Sequence, residues 1–291
     1  MEMSMGKDFA VFIMVYGRPD KMYTYNTLKK QGYTGKIYLV ADNTDETVDS
    51  YKEKYGKELI IFDKKEASLK MDSGDNSGDL RSTLYSANTI FDLAKERGIK
   101  YFFIMCDDYI KFDYRTNKEG NYPSLNFIIK DSLDKVFKII LKYYKSISAK
   151  TIAFSQGGDF IGGKDNSYAK KSRLTRKAMN SFLCSTDRPF EFMGRLNEDI
   201  TTYVNLGSKG NLFFTISIIS LTQNPTLETK GGLSDVYLDY GTYVKSFFSL
   251  MYNPSSVRIM EIGTKNKRIH HKVKWNNAVP KIVREDYRII A

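Results

Sequence analysis

Cysteine is scarce in this sequence, which has only Cys106 and Cys184 among its 291 residues. Each lies inside an apolar segment rather than in a spaced cluster, so the sequence excludes a zinc site built on cysteine and predicts buried free thiols in a reducing compartment. We expect no signal peptide at the start of the sequence, because the apolar run 9–15 is short and Arg18 follows it. No stretch is long and apolar enough to span a membrane. We therefore expect a cytoplasmic protein with no membrane partner.

Linkers and repeats are absent as well. No segment rich in proline, glycine or serine divides the chain, and the sequence has no internal repeat or low-complexity tract. The hydrophobic fraction of 42% is ordinary for a globular protein of this length. We expect one domain, with an amino-terminal half of about residues 1–155 and a carboxyl-terminal half of about residues 156–291.

The amino-terminal half alternates between two kinds of segment. Short apolar runs predict strands at 9–15, 37–40, 59–62, 101–106 and 151–155. Helical patterns lie between the runs, at 20–31, 44–56, 80–97 and 126–147. This alternation predicts a βαβ series, and hence an α/β fold with a Rossmann-like, mixed but mainly parallel sheet flanked by helices.

The carboxyl-terminal half has more turns and fewer clear elements. Its patterns predict a strand at 212–221, a helix at 236–251 and two short strands at 257–261 and 268–273. We expect these elements to form an extension on one side of the sheet.

Positive charge is in excess, with 45 basic and 34 acidic residues and a net charge of +11. Two segments are especially basic, 164–177 and 258–274, and each contains a single acidic residue. Such segments fit a polyanionic partner, but a solvated face that only aids solubility would have the same composition.

Two adjacent carboxylates, Asp107 and Asp108, follow the apolar run 101–106. Open α/β sheets bind ligands at the carboxyl ends of their strands, so these side chains are candidate ligands for Mg²⁺ or Mn²⁺ on a bound diphosphate. The alternative is that they only cap the next segment.

The two histidines of the chain, His270 and His271, are also adjacent. Neighbours on a strand point to opposite faces, so we expect at most one of them to face a metal ion, and the sequence leaves open which one. An imidazole ligand would favour Mn²⁺ over Mg²⁺. A purely structural role for the pair is the alternative.

A second acidic pair, Glu198 and Asp199, precedes a possible helix. Acidic residues at a helix start offset the helix dipole, which requires no chemistry. A carboxylate close to the metal and facing an acceptor is, however, also a candidate general base. The glycine-dense loop at Gly157, Gly158 and Asp159 permits close approach of a ligand, although a G-x-G-x-x-G dinucleotide motif is absent.

Four further residues lie at or near the ends of predicted strands. Tyr16 offers a ring for stacking on a base, Arg18 offers a cation for phosphate, and Asp42 offers an acid for a ribose or base edge. Arg81 is a fourth candidate for the donor. Turn residues and surface arginines are common at such positions, so each signal is weak alone.

Taken in order, these clusters resemble GT-A glycosyltransferases, with Asp107-Asp108 in place of the D-x-D motif and Asn197-Glu198-Asp199 as the x-E-D motif. The strings FFIMCDDY, GGDFIGG, FEFMGRLNEDITTY, GGLSDVYLDYGTYVKSFF and RIHHKVKW are more specifically similar to the TET/JBP-associated glycosyltransferases of bacteriophages. The resemblance covers nearly the whole chain. The chain departs from a strict D-x-D motif, so it leaves open whether one or both carboxylates touch the metal.

This resemblance implies an activity. Members of the family are thought to attach a sugar from a nucleotide-sugar donor, such as a UDP-sugar, to 5-hydroxymethylcytosine or 5-hydroxymethyluracil in single- or double-stranded phage DNA. The amino-terminal half would then bind the donor and the carboxyl-terminal half the acceptor. The implied location is the cytoplasm of an infected bacterium.

The resemblance also implies residue roles. Asp199 becomes the catalytic base with Glu198 beside it, and Asp108 with His270 or His271 holds the divalent metal. The expected donor-binding residues are Tyr16, Arg18, Asp42, Arg81, Asp107, Gly157 and Gly158. The expected acceptor-binding residues are Asp159, Lys170, Lys171 and Arg173.

Three other functions remain open at this point. One is a glycosyltransferase with a protein, polysaccharide or RNA acceptor, and another is a metal-dependent nucleotidyltransferase on a related sheet. The third is a catalytically silent nucleic-acid-binding module, which would have no need of the acidic and histidine residues. The sequence does not identify the sugar, the oligomeric state, or whether the anomeric configuration is inverted or retained.

Overall fold

The computed structural model describes residues 5–115, 127–156, 181–224, 233–263, 267–282 and 285. Several predicted site residues lie outside these ranges: Gly157, Gly158, Asp159, Lys170, Lys171 and Arg173.

In the described ranges, nine strands form one mixed sheet. In chain order they are β1 (Phe9–Met14), β2 (Lys36–Asp42), β3 (Leu59–Phe62), β4 (Tyr101–Cys106), β5 (Tyr109–Tyr114), β6 (Phe127–Ile128), β7 (Thr151–Gln156), β8 (Ser181–Ser185) and β9 (Phe213–Gln223). Their spatial order is β3-β2-β1-β4-β8-β7-β9-β5-β6. Only β5 and β8 run against the common direction, so the predicted α/β fold with a mainly parallel sheet is confirmed.

The helices cover both faces of this sheet. They are α1 (Tyr23–Lys30), α2 (Val48–Tyr55), α3 (Lys64–Ser68), α4 (Leu84–Glu96), α5 (Leu133–Ser146), α6 (Glu198–Ser208), α7 (Leu233–Tyr240), α8 (Val244–Tyr252) and α9 (Trp275–Ala278), with a short 3-10 turn at Gly56–Glu58. None of the described helices is long and apolar enough to cross a membrane.

Alternation along the buried strands creates two hydrophobic cores. On β1, Val11 and Ile13 face one core together with α5, whereas Ala10 and Phe12 face the other core together with α4 and α6. The buried residues of α5 follow the spacing of one helix face and pack on the sheet.

A separate two-stranded ribbon is formed by β10 (Val257–Ile262) and β11 (Arg268–Val273), which pair in antiparallel fashion. Its Val257 and Val273 belong to the same core as α4 and α6. The ribbon therefore lies on that face of the sheet, beside helix α6.

Two predicted helices differ from the structure. The pattern at 236–251 forms two helices, because Gly241 adopts φ +83° and ends α7 with its N–H donating to the carbonyl of Tyr237. The pattern at 126–147 begins with the strand β6, and α5 starts only at Leu133. Strands β5 and β8 were not predicted, since polar residues interrupt β5 and serines at both ends limit the apolar run of β8 to three residues.

Strand β9 changes its pairing register along its length. It pairs with β7 from Phe213 to Ile216, and after an irregularity the pairing resumes at Ser220. Ser155 on β7 bridges the irregularity by donating from its hydroxyl to the carbonyl of Ile219 at 2.7 Å. Such a bulge bends a strand and re-aims its end, and beyond it β9 also pairs with β5.

Candidate functional site

The adjacent carboxylates Asp107 and Asp108 form the turn between β4 and β5, at the edge where the parallel strands end. Buried Thr24, near the start of α1, fixes this turn. Its N–H donates to the carbonyl of Asp107 at 3.1 Å, its hydroxyl donates to the carbonyl of Cys106 at 2.6 Å, and the same hydroxyl accepts from the N–H of Tyr109 at 2.9 Å. Thr24 was not predicted as a site residue, because nothing in a single buried threonine marks it as one.

Asp107 is buried and paired with a predicted donor-binding residue. Its Oδ1 lies 2.7 Å from Nη2 of Arg18, whereas its buried Oδ2 has no hydrogen-bond partner in the described part of the chain. Burial raises the pKa of Asp107 to about 7, although the Arg18 guanidinium favours the charged form. The structure thus brings Asp107 and Arg18 together and leaves one carboxylate oxygen without a donor.

Asp108 is more accessible and has a different partner. Both of its carboxylate oxygens accept from Nε2 of Gln223, at 3.1 and 3.2 Å. Burial raises its pKa, and the hydrogen bond from Gln223 opposes that effect. Gln223 is the last residue of β9. The sequence did not predict its role, because the pairing of β9 with β5 was not predicted.

A second cluster lies at the ends of β1, β2 and β3. Asp42 forms a buried ion pair with Lys64 at 2.7 Å, and Nζ of Lys64 lies 5.0 Å from the centroid of the Tyr16 ring. The other oxygen of Asp42 accepts from the N–H of Thr44 at 2.9 Å. Burial and the nearby carboxylates raise the pKa of Tyr16. The structure therefore brings Tyr16 and Asp42 together, with the unpredicted Lys64 between them.

Glu198 and Asp199 form the first turn of α6, as predicted. Asp199 is 6% exposed, and its Oδ1 accepts from the N–H of Ile200 at 2.8 Å. Oε1 of Glu198 accepts from the hydroxyl of Thr83 at 2.6 Å. Asn197, just before the helix, adopts a left-handed conformation with φ +60°. Because such backbone costs free energy in a non-glycine residue, its presence here indicates a tightly determined turn.

The Cys106 thiol belongs to the last residue of β4, directly before Asp107. Burial raises the pKa of the Cys106 thiol, and the carboxylates of Asp108, Asp107 and Glu198 raise it further. Burial, and then the carboxylates of Glu198 and Asp199, raise the pKa of Tyr237 on α7. Asp107 and Asp108 directly follow β4, and Glu198 begins α6.

Arg81 lies in a network of ion pairs that braces this region. It contacts Asp79 at 2.9 Å and Asp239 of α7 at 2.6 Å. Buried Arg195 contacts Asp75 at 2.8 Å, which ties the loop before α4 to the segment that leads into α6. The predicted role of Arg81 toward the donor remains a prediction, and any such contact has to compete with these two aspartates.

The histidines lie beside the second motif. His271 is buried, and its Nδ1 lies 3.5 Å from Nδ2 of Asn197 and 3.5 Å from Oγ of Ser246. His270 is half-buried, and the two ring centroids are only 4.1 Å apart. We expected these neighbouring rings to point to opposite faces of the strand, whereas they lie close together. Strand β11 pairs with β10 alone among the described strands, so its other edge leaves room for a ring to turn sideways.

The described residues contain no group of three histidine, cysteine or acidic side chains placed to hold a metal ion. A nucleotide-bound Mg²⁺ or Mn²⁺ does not require one, because phosphate oxygens and water fill most of its coordination sphere. The accessible Asp108 carboxylate and the unpartnered Oδ2 of Asp107 are hard oxygen donors suited to these ions. The residues present at the turn therefore fit a metal that arrives with a diphosphate.

Comparison with known proteins gives one family. Residues 9–232 match the family described as TET-Associated Glycosyltransferase. No curated protein matches the chain.

Several solved structures are similar at low identity. S. aureus TarS 1–349 in complex with UDP is 14% identical with a TM-score of 0.46, over 84% of this chain and 65% of that chain. PcManGT, a mannosyltransferase from Pyrobaculum calidifontis in complex with GDP-Man and Mn²⁺, is 10% identical with a TM-score of 0.46, over 85% and 73%. Glucosyl-3-phosphoglycerate synthase from Mycobacterium tuberculosis, in complex with Mn²⁺ and UDP-glucose, is 7% identical with a TM-score of 0.47, over 92% and 87%. This chain thus spans a little less than two thirds of TarS 1–349.

Proposed function

Because the chain belongs to the TET-associated glycosyltransferase family, we propose that this glycosyltransferase moves a sugar from a nucleotide-sugar donor to a hydroxymethylated pyrimidine in DNA. The observation that carries the proposal is the pair of carboxylates at the turn after β4, where Asp107 is buried with one oxygen unpartnered among the described residues and Asp108 lies next to it. A buried group of carboxylates costs free energy unless a cation or a proton is bound there, and such groups cluster at functional sites.

The donor would lie along the carboxyl ends of β1, β2 and β4. The Tyr16 ring, with Lys64 over it, suits a nucleoside base, and Arg18 suits the diphosphate. Asp108, together with His270 or His271, would hold Mn²⁺ or Mg²⁺, which when bound neutralises the charge of the leaving diphosphate. The Asp42 carboxylate, already paired with Lys64, would act by fixing that lysine beside Tyr16.

The reaction itself needs a base for the acceptor. In the proposed step the hydroxymethyl oxygen attacks the anomeric carbon and the bond from that carbon to the diphosphate oxygen breaks. The hydroxyl proton passes to a carboxylate oxygen of Asp199. Glu198 is held by Thr83 and would orient the acceptor beside it. One displacement of this kind inverts the anomeric configuration.

The acceptor pyrimidine would have to leave the DNA stack, since its hydroxymethyl group must reach both the Asp199 carboxylate and the anomeric carbon of the donor. Asp159, Lys170, Lys171 and Arg173 are proposed to contact that DNA. A phage origin would place the reaction in the cytoplasm of an infected bacterium.

The test is mass spectrometry of nucleosides after incubation of hydroxymethylated DNA with the protein, a divalent metal and a panel of sugar nucleotides. We expect a nucleoside heavier by one sugar and release of a nucleoside diphosphate. Release of pyrophosphate would indicate a nucleotidyltransferase instead. Sugar transfer to a protein, polysaccharide or RNA but not to DNA would support a glycosyltransferase activity and exclude DNA as its acceptor.

The variant Asp108→Asn tests donor binding without involving the acceptor. We expect this change to abolish metal-dependent binding of the nucleotide-sugar in calorimetry while the protein stays folded, because Asp108 is not part of a hydrophobic core. Unchanged binding would exclude Asp108 as a metal ligand.

A further inference from the structure

The ribbon of β10 and β11 has a cationic outward face. Arg258 lies directly opposite Lys272 in the register of the ribbon, and Arg268 lies opposite Ile262. Residues opposite each other share a face, as do residues four apart on one strand. The three cations therefore lie on one face, and all three are exposed.

The other face of the ribbon is attached to the protein. Val257 and Val273 are buried in the hydrophobic core that also contains residues of α6, and His271 approaches Asn197. Glu261, the acidic residue of the ribbon, alternates with the cations and pairs with Lys267 at 2.9 Å. None of the ion pairs among the described residues involves the three outward cations.

This arrangement is unfavourable without a partner. Like charges directly opposite each other destabilise a strand pair, and a ribbon of only two strands has little stability to spare. Arg258 and Lys272 nevertheless occupy one cross-strand pair. A bound polyanion would remove the repulsion, whereas a face needed only for solubility is satisfied by mixed or neutral polar residues.

The ribbon is also held next to the proposed base. Asn197, which His271 approaches, immediately precedes Glu198 and Asp199. At the end of the ribbon the Trp275 ring stacks on Tyr203 of α6, with ring centroids 5.4 Å apart. The ribbon that would carry a ligand is therefore packed against the helix that carries the acidic motif.

We infer that the outward face of the ribbon, formed by Arg258, Arg268 and Lys272, binds the phosphate backbone of the acceptor DNA and holds the target strand beside Glu198 and Asp199. This inference rests on the proposed DNA acceptor and assigns the surface that holds it.

The test compares two double variants of equal charge. Arg258→Gln with Lys272→Gln removes two outward cations of the ribbon. Lys135→Gln with Lys142→Gln removes two exposed cations of α5, which packs in the hydrophobic core on the opposite face of the sheet. Binding of a fluorescent unmodified DNA duplex is measured without donor over a series of salt concentrations.

We expect the slope of log affinity against log salt to fall by about two in the ribbon variant and to stay at the wild-type value in the α5 variant. Calorimetry with the nucleotide-sugar should give wild-type donor affinity for both. The melting temperature of the ribbon variant at low salt should equal or exceed that of the wild type, since the like-charge pair is gone. If the double variant fails to fold, Lys272→Gln alone should lower the slope by about one.

A ribbon variant with the wild-type slope, in a protein that transfers sugar to DNA, overturns the inference and leaves the proposed function standing. An equal fall in slope for the α5 variant also overturns it, because it shows that the loss follows net charge and not this face. A wild type that neither binds nor modifies DNA overturns the DNA acceptor and the ribbon together.

Discussion

Asp199 is a buried carboxylate at the start of a helix, and that position permits two explanations. It accepts the N–H of the next residue, as a residue stabilising a helix start does. It also lies beside Glu198, within the electrostatic reach of Tyr237 on the neighbouring helix. A base and a residue that only stabilises the helix start respond differently to replacement by asparagine, because asparagine keeps the shape and an acceptor oxygen but cannot take a proton.

If Asp199 is the base, Asp199→Asn should reduce single-turnover sugar transfer by roughly a hundred-fold or more and leave donor affinity nearly unchanged. Transfer to a hydroxymethylated oligonucleotide and the melting temperature are measured together. Asp49→Asn is the matched control, since Asp49 is an exposed acid in the first turn of α2. Near-normal transfer by Asp199→Asn would assign Asp199 to capping alone.

The buried Asp107 makes stability depend on pH. Its pKa is raised to about 7 by burial, so the folded protein holds this proton at pH values where an aspartate in the unfolded chain, with a pKa of about 3.9, has lost it. The folded state therefore binds more protons between these two values, and stability falls as pH rises through that window.

Replacing Asp107 by asparagine removes this titration. Between pH 4.5 and pH 7.5 the urea midpoint of Asp107→Asn should fall less than that of the wild type. Asp187→Asn, at an exposed aspartate, should keep the wild-type dependence. Parallel curves for all three proteins would show that Asp107 does not titrate in this range.

The sequence identified the charged residues of the candidate site but not the residues that hold them in place. Asp107, Asp108 and Glu198 stand out because each follows or opens a recognisable element, and the structure places them at the end of β4 and the start of α6. Thr24 and Gln223 act through contacts between residues 80 or more positions apart, at 2.6 and 3.1 Å. Such partners depend on the tertiary arrangement, which periodicity along one segment does not contain.

At the scale of the elements, continuous apolar runs were the reliable signal. Strand β4 has the predicted bounds, because its uninterrupted apolar run has no other stable place than the centre of the sheet. Strand β5 was missed because Lys111 and Asp113 interrupt its pattern. Asp113 is nonetheless completely buried, and Lys111 lies 3.2 Å from it, so an ion pair made in the folded protein conceals a strand from composition alone.

The break between α7 and α8 depends on one glycine. At Gly241 the backbone has φ +83°, and an added Cβ would lie 2.5 Å from the Tyr243 ring. We expect Gly241→Ala to lower the stability by more than about 1 kcal/mol, since strain and a clash act together.

Gly98→Ala is the matched control for this change. Gly98 has φ +66°, and an added Cβ there would meet nothing within 4 Å. Thermal unfolding should show a larger loss for Gly241→Ala than for Gly98→Ala. Equal losses would mean that the Tyr243 ring moves aside without cost.

At the scale of the whole molecule, the two halves expected from the sequence share one sheet. Strand β8 lies between β4 and β7, and β9 lies between β7 and β5. Strand β5 thus depends on a partner from the carboxyl-terminal half, and β7 is bordered on both sides by strands from that half.

A fragment of residues 1–155 should therefore not fold cooperatively by itself. Its urea unfolding, followed by circular dichroism, should lack a sharp transition, and its amides near β4 should exchange quickly with solvent. Coexpression with residues 156–291 is the control and should restore the transition. A sharp transition for the fragment alone would show that the amino-terminal half is an independent domain.

The register change in β9 limits how the length of this chain can vary. Loops on a protein surface usually tolerate insertions, because added residues only lengthen a flexible connection. Between Ile216 and Ser220, however, the residue count determines which side chain reaches Asp108. One residue deleted there would move Gln223 to the opposite face of the strand and place its neighbour at the turn. Natural or engineered changes of length should accordingly be absent from this five-residue stretch, although nothing in its own composition would protect it.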